Sequence, residues 1–195
     1  MDNATNVGNW KQIVRKAGIF FALSFLTLPL ICQKQMEEYQ LKALIVSRFF
    51  DFVTWPPNTE NNSDQFVIGI IGDTPLLDHQ EKFFERVKLP GRTVTIQKIS
   101  DLDQVVHCQA VIIGESESKR LGDILALTQG KPILSISDAE GFGEKGVLIN
   151  LYRLGKTVKF EINYSSVRKS GLVFSSKLFK LARIINRDIH ENPQN

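Results

Sequence analysis

The chain has 195 residues, 43% of them hydrophobic and 23% charged, with a formal net charge of +3. This is enough apolar material for one well-buried domain and too little length for two, and the mixed composition excludes a disordered or low-complexity protein. Three basic residues (Lys11, Arg15, Lys16) and one acidic residue (Asp2) lie in positions 1–32, so the remainder carries only about +1, which argues against nucleic acid and against strong attachment to acidic lipid.

Those basic residues precede an uncharged run of 16 residues from Ala17 to Cys32, a basic n-region followed by an apolar h-region, so residues 1–32 read as a Sec signal peptide. As a helix the run spans about 24 Å, short of the roughly 30 Å hydrocarbon core, and Pro29 suits a break before cleavage. Export is therefore favoured over a membrane span. No small-x-small triplet precedes Gln33, so an uncleaved N-terminal anchor stands as an alternative. A lipid-modified Cys32 fits less well, because Ile31 occupies a position that wants a small residue. After cleavage only Cys108 remains, which excludes an intramolecular disulfide and reads as a small buried thiol.

The domain proper covers 36–187. Met36 to Val53 has helical content with a wide apolar surface (Leu41, Leu44, Ile45, Val46, Phe49, Phe50, Phe52, Val53), leaving Ser47, Arg48 and Asp51 as a thin polar strip, and such a helix needs covering on more than one side. Trp55-Pro56-Pro57 ends it, and Asn58 to Gln65 is a polar loop. Phe66 to Ile71 is an apolar strand leaving through Gly72-Asp73-Thr74-Pro75, with Thr74 the N-cap of a crossover helix from Leu76 to Val87 and Thr93 to Ile99 the next strand, a β-α-β unit.

The same pattern repeats. Asp101 to His107 is a short polar connector, Ala110 to Ile113 a strand, and Glu115-Ser116-Glu117-Ser118 opens a helix with Leu121, Ile124 and Leu125 on one side. Ile133 to Ser137 is the third strand of this kind. Gly141 to Gly146 reads as a turn into a hairpin, Val147 to Tyr152 and Val158 to Ile162, closed at Gly155. Asn163 caps a short helix ended by Gly171. Ser175 to Arg187 reads as an amphipathic helix with Leu178, Leu181, Ala182 and Ile185 on one face and Lys177, Lys180, Arg183 and Arg187 on the other, and 188–195 as a frayed tail. The fold class is α/β: a single three-layer domain, a mainly parallel sheet with a C-terminal β-hairpin and helices on both faces.

Gly141-Phe142-Gly143-Glu144-Lys145-Gly146 matches G-x-G-x-x-G, but the fingerprint needs a following helix to meet a pyrophosphate, and here the chain runs into a strand, so a flexible turn is the better reading. No catalytic residues are found: His79, His107 and His190 are scattered without zinc spacing, and no G-x-S-x-G precedes a helix. No metal or cofactor is expected. Parallel strands bring their carboxyl-end loops together, which makes Asp73, Thr74, Ser116, Ser137 and Asp138, with Glu115, candidates for a small ligand, against ordinary capping and turn chemistry at the same positions. For a protein partner the candidates are Trp55, either an anchor or a plug at the helix end, Arg48, and the stripe Lys177, Lys180, Arg183 and Arg187, which reads equally as a solvated face.

In order along the chain, Glu38-Tyr39-Gln40-Leu41-Lys42-Ala43, Phe52-Val53-Thr54-Trp55-Pro56, Phe66-Val67-Ile68-Gly69, Leu134-Ser135-Ile136-Ser137-Asp138, Gly141-Phe142, Ile149-Asn150-Leu151, Val158 to Asn163 and Ser175-Ser176-Lys177-Leu178 resemble the YfiR-like family of exported bacterial regulatory domains. The resemblance implies a non-enzymatic periplasmic regulator that restrains a membrane-bound diguanylate cyclase, and so controls cyclic di-GMP, by contacting the periplasmic part of that inner-membrane signalling protein. It also implies a domain that tends to dimerise. A periplasmic small-ligand sensor is the alternative. The type member carries disulfides linked to redox control, and the single Cys108 here departs from that pattern.

Overall fold

The computed structural model describes residues 38–57, 64–76 and 87–187. The chain divides between Tyr39 and Gln40 into two units, and the second carries the sheet. The expected signal segment, the interior of the crossover helix between Leu76 and Val87, and the tail 188–195 lie outside the described residues.

Nine strands are described: Val53–Thr54 (β1), Gln65–Ile71 (β2), Thr93–Ile99 (β3), Ala110–Ile113 (β4), Leu134–Ser137 (β5), Ile149–Leu154 (β6), Thr157–Asn163 (β7), Val173–Phe174 (β8) and Arg183–Ile185 (β9). Seven of them form one sheet in the order β3-β2-β4-β5-β6-β7-β9, while β1 and β8 pair separately. Neighbours from β3 to β6 run parallel, β6 and β7 form the antiparallel hairpin, and β9 lies parallel to β7. The hairpin turns on Gly155, whose φ of 61° is the conformation that a two-residue loop asks of glycine.

The unbroken apolar run of β4 is buried at all four residues, as a strand covered on both faces requires, whereas the edge strand β3 alternates between half-buried Val94 and Ile96 and exposed Thr95 and Gln97. Register places Phe66, Ile68, Ile112, Ile136, Ile149 and Ile162 on one face. Helix α1 (38–49) packs there, with Phe49 5.0 Å from Phe160 and Phe50 5.8 Å from Phe66 between ring centres. On the opposite face Ile71, Val111 and Ile113 form a cluster with Cys108 and with Leu121 and Ile124 of α2 (Leu121–Thr128). The expected layering, helices on both faces of a mostly parallel sheet, is what the chain adopts.

Four local expectations are corrected. Helix α1 stops at 49, not at Val53, because the β-branched pair Val53–Thr54 leaves to form β1 against Phe174 and Val173. The connector is not irregular: Leu102–His107 form a 3-10 helix, capped by the Asp101 carboxylate accepting from the Asp103 amide at 3.1 Å. The glycine segment is not a flexible turn: Phe142–Lys145 form a single helical turn (α3) entered at Gly141. The last amphipathic segment is helical only over Ser176–Leu181 (α5); Ala182 is extended, and Arg183–Ile185 become β9 because the free edge of β7 offers backbone partners to a β-branched pair. Between the hairpin and α5, Asn163 caps α4 (Tyr164–Ser170) by accepting from the Ser166 amide at 3.0 Å, and Gly171 ends it, as the sequence predicts.

Candidate functional site

The strand carboxyl ends bring Asp73 and Ser116 into contact, with the Asp73 amide donating to Ser116 Oγ at 2.8 Å. The loops after β2 and β4 are so close that a Cβ on Gly114 would lie 2.1 Å from the Asp73 carbonyl oxygen. Thr74 turns inward and accepts from the Leu76 amide at 3.3 Å. Ser137 donates to the Ile113 carbonyl at 2.7 Å and accepts from the Ala139 amide at 3.2 Å. Asp138 is held by Lys42 Nζ of α1 at 2.8 Å, both side chains largely out of solvent. The Asp73 carboxylate stays exposed, 3.8 Å from Lys98 Nζ. Thr74 thus braces its own loop, Ser116 joins two loops, Ser137 fastens to β4 and Asp138 holds α1, and the pair Lys42–Asp138 is not visible in the sequence because its members stand 96 positions apart. Among the described residues no group of His, Cys, Asp or Glu side chains is placed to hold a metal ion.

A second polar arrangement crosses the other half of the sheet. Register aligns Ser137 with Asn150, Asn150 with Glu161 and Glu161 with Arg183, one residue from each of β5, β6, β7 and β9. Glu161 is 2% exposed. Its Oε1 accepts from Asn150 Nδ2 at 3.2 Å, and its Oε2 accepts from Arg183 Nε at 3.1 Å and more closely from Arg183 Nη2. Asn150 Nδ2 also reaches the Ala139 carbonyl at 3.1 Å. The hydrogen bonds that Arg183 donates to Glu161 raise its pKa, with burial opposing them, and the guanidinium lies 4.5 Å from the Tyr152 ring centre. Helix α3 lies over this row: a Cβ on Gly143 would fall 2.2 Å from Glu161 Oε1 and 3.1 Å from Asn150 Cβ. Gly143 is therefore a packing glycine, placed where no side chain fits against a buried carboxylate.

The partner candidates separate. The helical stripe does not exist as one face, since Arg183 is engaged with Glu161 on β9 and Arg187 stands 5.4 Å from the Tyr164 ring. Lys177 and Lys180 stay exposed on α5, and Leu181, four residues on from Lys177 and only one turn beyond buried Leu178, is 70% exposed beside them. The sequence pattern puts Leu181 on the apolar face, and the shortening of the helix is what leaves it outside. Trp55 is half-buried: its indole N–H donates to the Gln109 carbonyl at 3.0 Å, and its ring stacks on Phe50 and meets Phe66 edge-on at 4.9 Å. Arg48 pairs with Asp51 on the surface at 3.2 Å, and on the same side of α1 Leu41 and Leu44 are 43% and 39% exposed, so this helix is less covered than its sequence asks.

Cys108 is buried, its Sγ 3.6 Å from the Gln104 carbonyl. Burial pushes the thiol pKa up to about 11, against a smaller lowering by the Gly69 backbone, so at neutral pH it is a protonated core group.

Among the described residues no helix is long and apolar enough to cross a membrane. No curated protein matches the chain. Of solved structures, the ABC domain in complex with L-Trp from Streptococcus pneumonia is similar at 15% identity with a TM-score of 0.46, over 62% of this chain and 56% of that one. This chain thus spans little more than half the length of that structure. The family pattern described as YfiR/HmsC-like matches residues 39–183, which include every strand of the sheet except the end of the last. The chain belongs to the YfiR/HmsC-like family, a family of periplasmic regulators of cyclic di-GMP signalling.

Proposed function

We propose that this protein is exported and acts by binding, not by catalysis, holding the periplasmic part of an inner-membrane diguanylate cyclase in an inactive state. The observation that carries this reading is the family match over 39–183. The surface supports it in kind: Leu41 and Leu44 beside Arg48 on α1, and Leu181 beside Lys177 and Lys180 on α5, combine exposed aliphatic area with cations, the mixture an interface uses for affinity and orientation. Trp55 serves this surface from behind, as the plate on which the end of α1 rests. Deleting the gene should raise cellular cyclic di-GMP, and complementation with Leu41→Glu/Leu44→Glu, at normal protein level, should fail to lower it. Unchanged cyclic di-GMP on deletion would overturn the proposal. N-terminal sequencing of the periplasmic fraction should begin close to Gln33, and recovery of intact Met1 only with membranes would contradict free export.

A further inference from the structure

A cavity of about 220 Å³ opens beside the amino ends of β5 and β6, at the opposite end of the sheet from the loops where the sequence placed its ligand residues. Its walls come from the end of α2, from the glycine segment and from α4, represented by Leu125, Lys145, Gly146, Ser166 and Lys169. The volume falls below the roughly 300 Å³ at which pockets for drug-sized molecules begin, so a metabolite of a few carbons fits and a nucleotide does not.

Gly146 keeps this space clear. A Cβ there would stand 3.3 Å from Leu125 Cδ1 and 3.8 Å from Ser166 Oγ, between two walls, and its φ of 128° disfavours any side chain. Ser166 gives its amide to Asn163, and its hydroxyl takes part in no protein hydrogen bond among the described residues. Lys145 and Lys169 have no carboxylate partner among the described residues. Of the charged residues that line the cavity, Lys145 and Lys169 outnumber Glu144, so it carries an excess of positive charge.

We propose that this cavity binds a small organic anion, a carboxylate or a phosphate ester, whose oxygens meet Lys145, Lys169 and the Ser166 hydroxyl while its carbon skeleton lies against Leu125. Asn186 closes the rim. It is the one non-glycine residue with positive φ among the described residues, at 49°, and its Nδ2 donates to the Glu144 carbonyl at 3.0 Å, tying the segment after β9 across the cavity mouth. A bound anion therefore bears on the last strand of the sheet. This inference does not depend on the cyclase partner, which a separate assay reads.

The test is titration of the purified protein with succinate, glycerol 3-phosphate and inorganic phosphate, followed by calorimetry and by amide chemical shifts. At least one probe should saturate and shift the amides of Gly146, Ser166 and Lys169; the succinate and phosphate arms distinguish a carboxylate from a phosphoryl ligand. Lys145→Gln/Lys169→Gln should weaken that probe at least tenfold with an unchanged melting temperature in its absence, and Ser166→Val should weaken it with all charges retained. Absence of saturable binding by all three probes, equal affinity in the double variant, or shifts centred on Asp73 and Ser116 would each overturn the proposal.

Discussion

Replacing Gly143 by alanine should destabilise the domain, although the backbone alone says the opposite. Gly143 lies in the α3 turn and is not among the positive-φ residues, so helix propensity favours alanine by about 1 kcal/mol. Against that, the new methyl carbon would lie 2.2 Å from Glu161 Oε1 and 3.0 Å from Glu161 Cδ, so the carboxylate must move. Overpacking costs about 1–3 kcal/mol. Displacing Glu161 also loosens its hydrogen bonds to Arg183 and Asn150, and breaking a buried pair outright costs about 3–5 kcal/mol, a ceiling here because the Arg183 side chain is 53% exposed. The net expectation is a loss of roughly 2–4 kcal/mol, which in a domain of this size lowers the melting temperature by roughly 5–15 °C. Gly122→Ala is the control: it lies in α2 with nothing within 4 Å of the point where its methyl carbon would stand, and it should gain about 0.5–1 kcal/mol. Urea unfolding of both variants reads the result, and a Gly143→Ala protein as stable as wild type would refute the packing argument.

Arg183→Met should cost about 2–4 kcal/mol by leaving Glu161 buried without its cation, while Arg183→Met/Glu161→Gln should cost less than the sum of the two single changes; additivity in that cycle would show the pair to be uncoupled. Cys108 titrates near 9.0 when unfolded and about 11 when folded, so the thiol's contribution is complete below pH 9 and is lost as pH rises to about 11; Cys108→Ala should flatten the decline in stability over that window, and iodoacetamide should label native protein slowly at neutral pH. Trp55→Phe should lose about 1 kcal/mol by removing one of the two hydrogen bonds at the Gln109 carbonyl, which keeps the Leu134 amide at 3.0 Å, and Trp55→Ala several times more, both measured by chemical unfolding without partner present.

Much of the sheet is legible in the sequence because burial on both faces writes itself as an unbroken apolar run in Phe66–Ile71 and Ala110–Ile113, while Ile133–Ser137 is identified as a strand by its short β-branched run between Pro132 and Asp138. The hairpin and the α4 cap are legible because Gly155 and Asn163 act on residues next to them. What stays hidden depends on distant partners. Ile184 and Ile185 sit at helical spacing from Leu178 and Leu181, and only the open edge of β7 makes them a strand. The single turn α3 holds one buried aromatic, Phe142, too little for a periodic signal. Glu161 is an ordinary alternating residue of a hairpin until register sets it between Asn150 and Arg183, and Lys42 an ordinary helix lysine until the fold brings Asp138 to it.

The parallel pairing of β9 with β7 has a consequence for the order of assembly. A chain emerging amino end first can pair β2 to β7 with one another before residue 183 appears, since every partner of those strands except β9 precedes it. During that interval the Glu161 carboxylate has no guanidinium to meet and stays hydrated, which holds the hairpin and α3 apart from final closure. The last strand made is thus the bolt: a translation product arrested just upstream of Arg183 should be protease-sensitive at β7, and release of the next few residues should convert it to a resistant form.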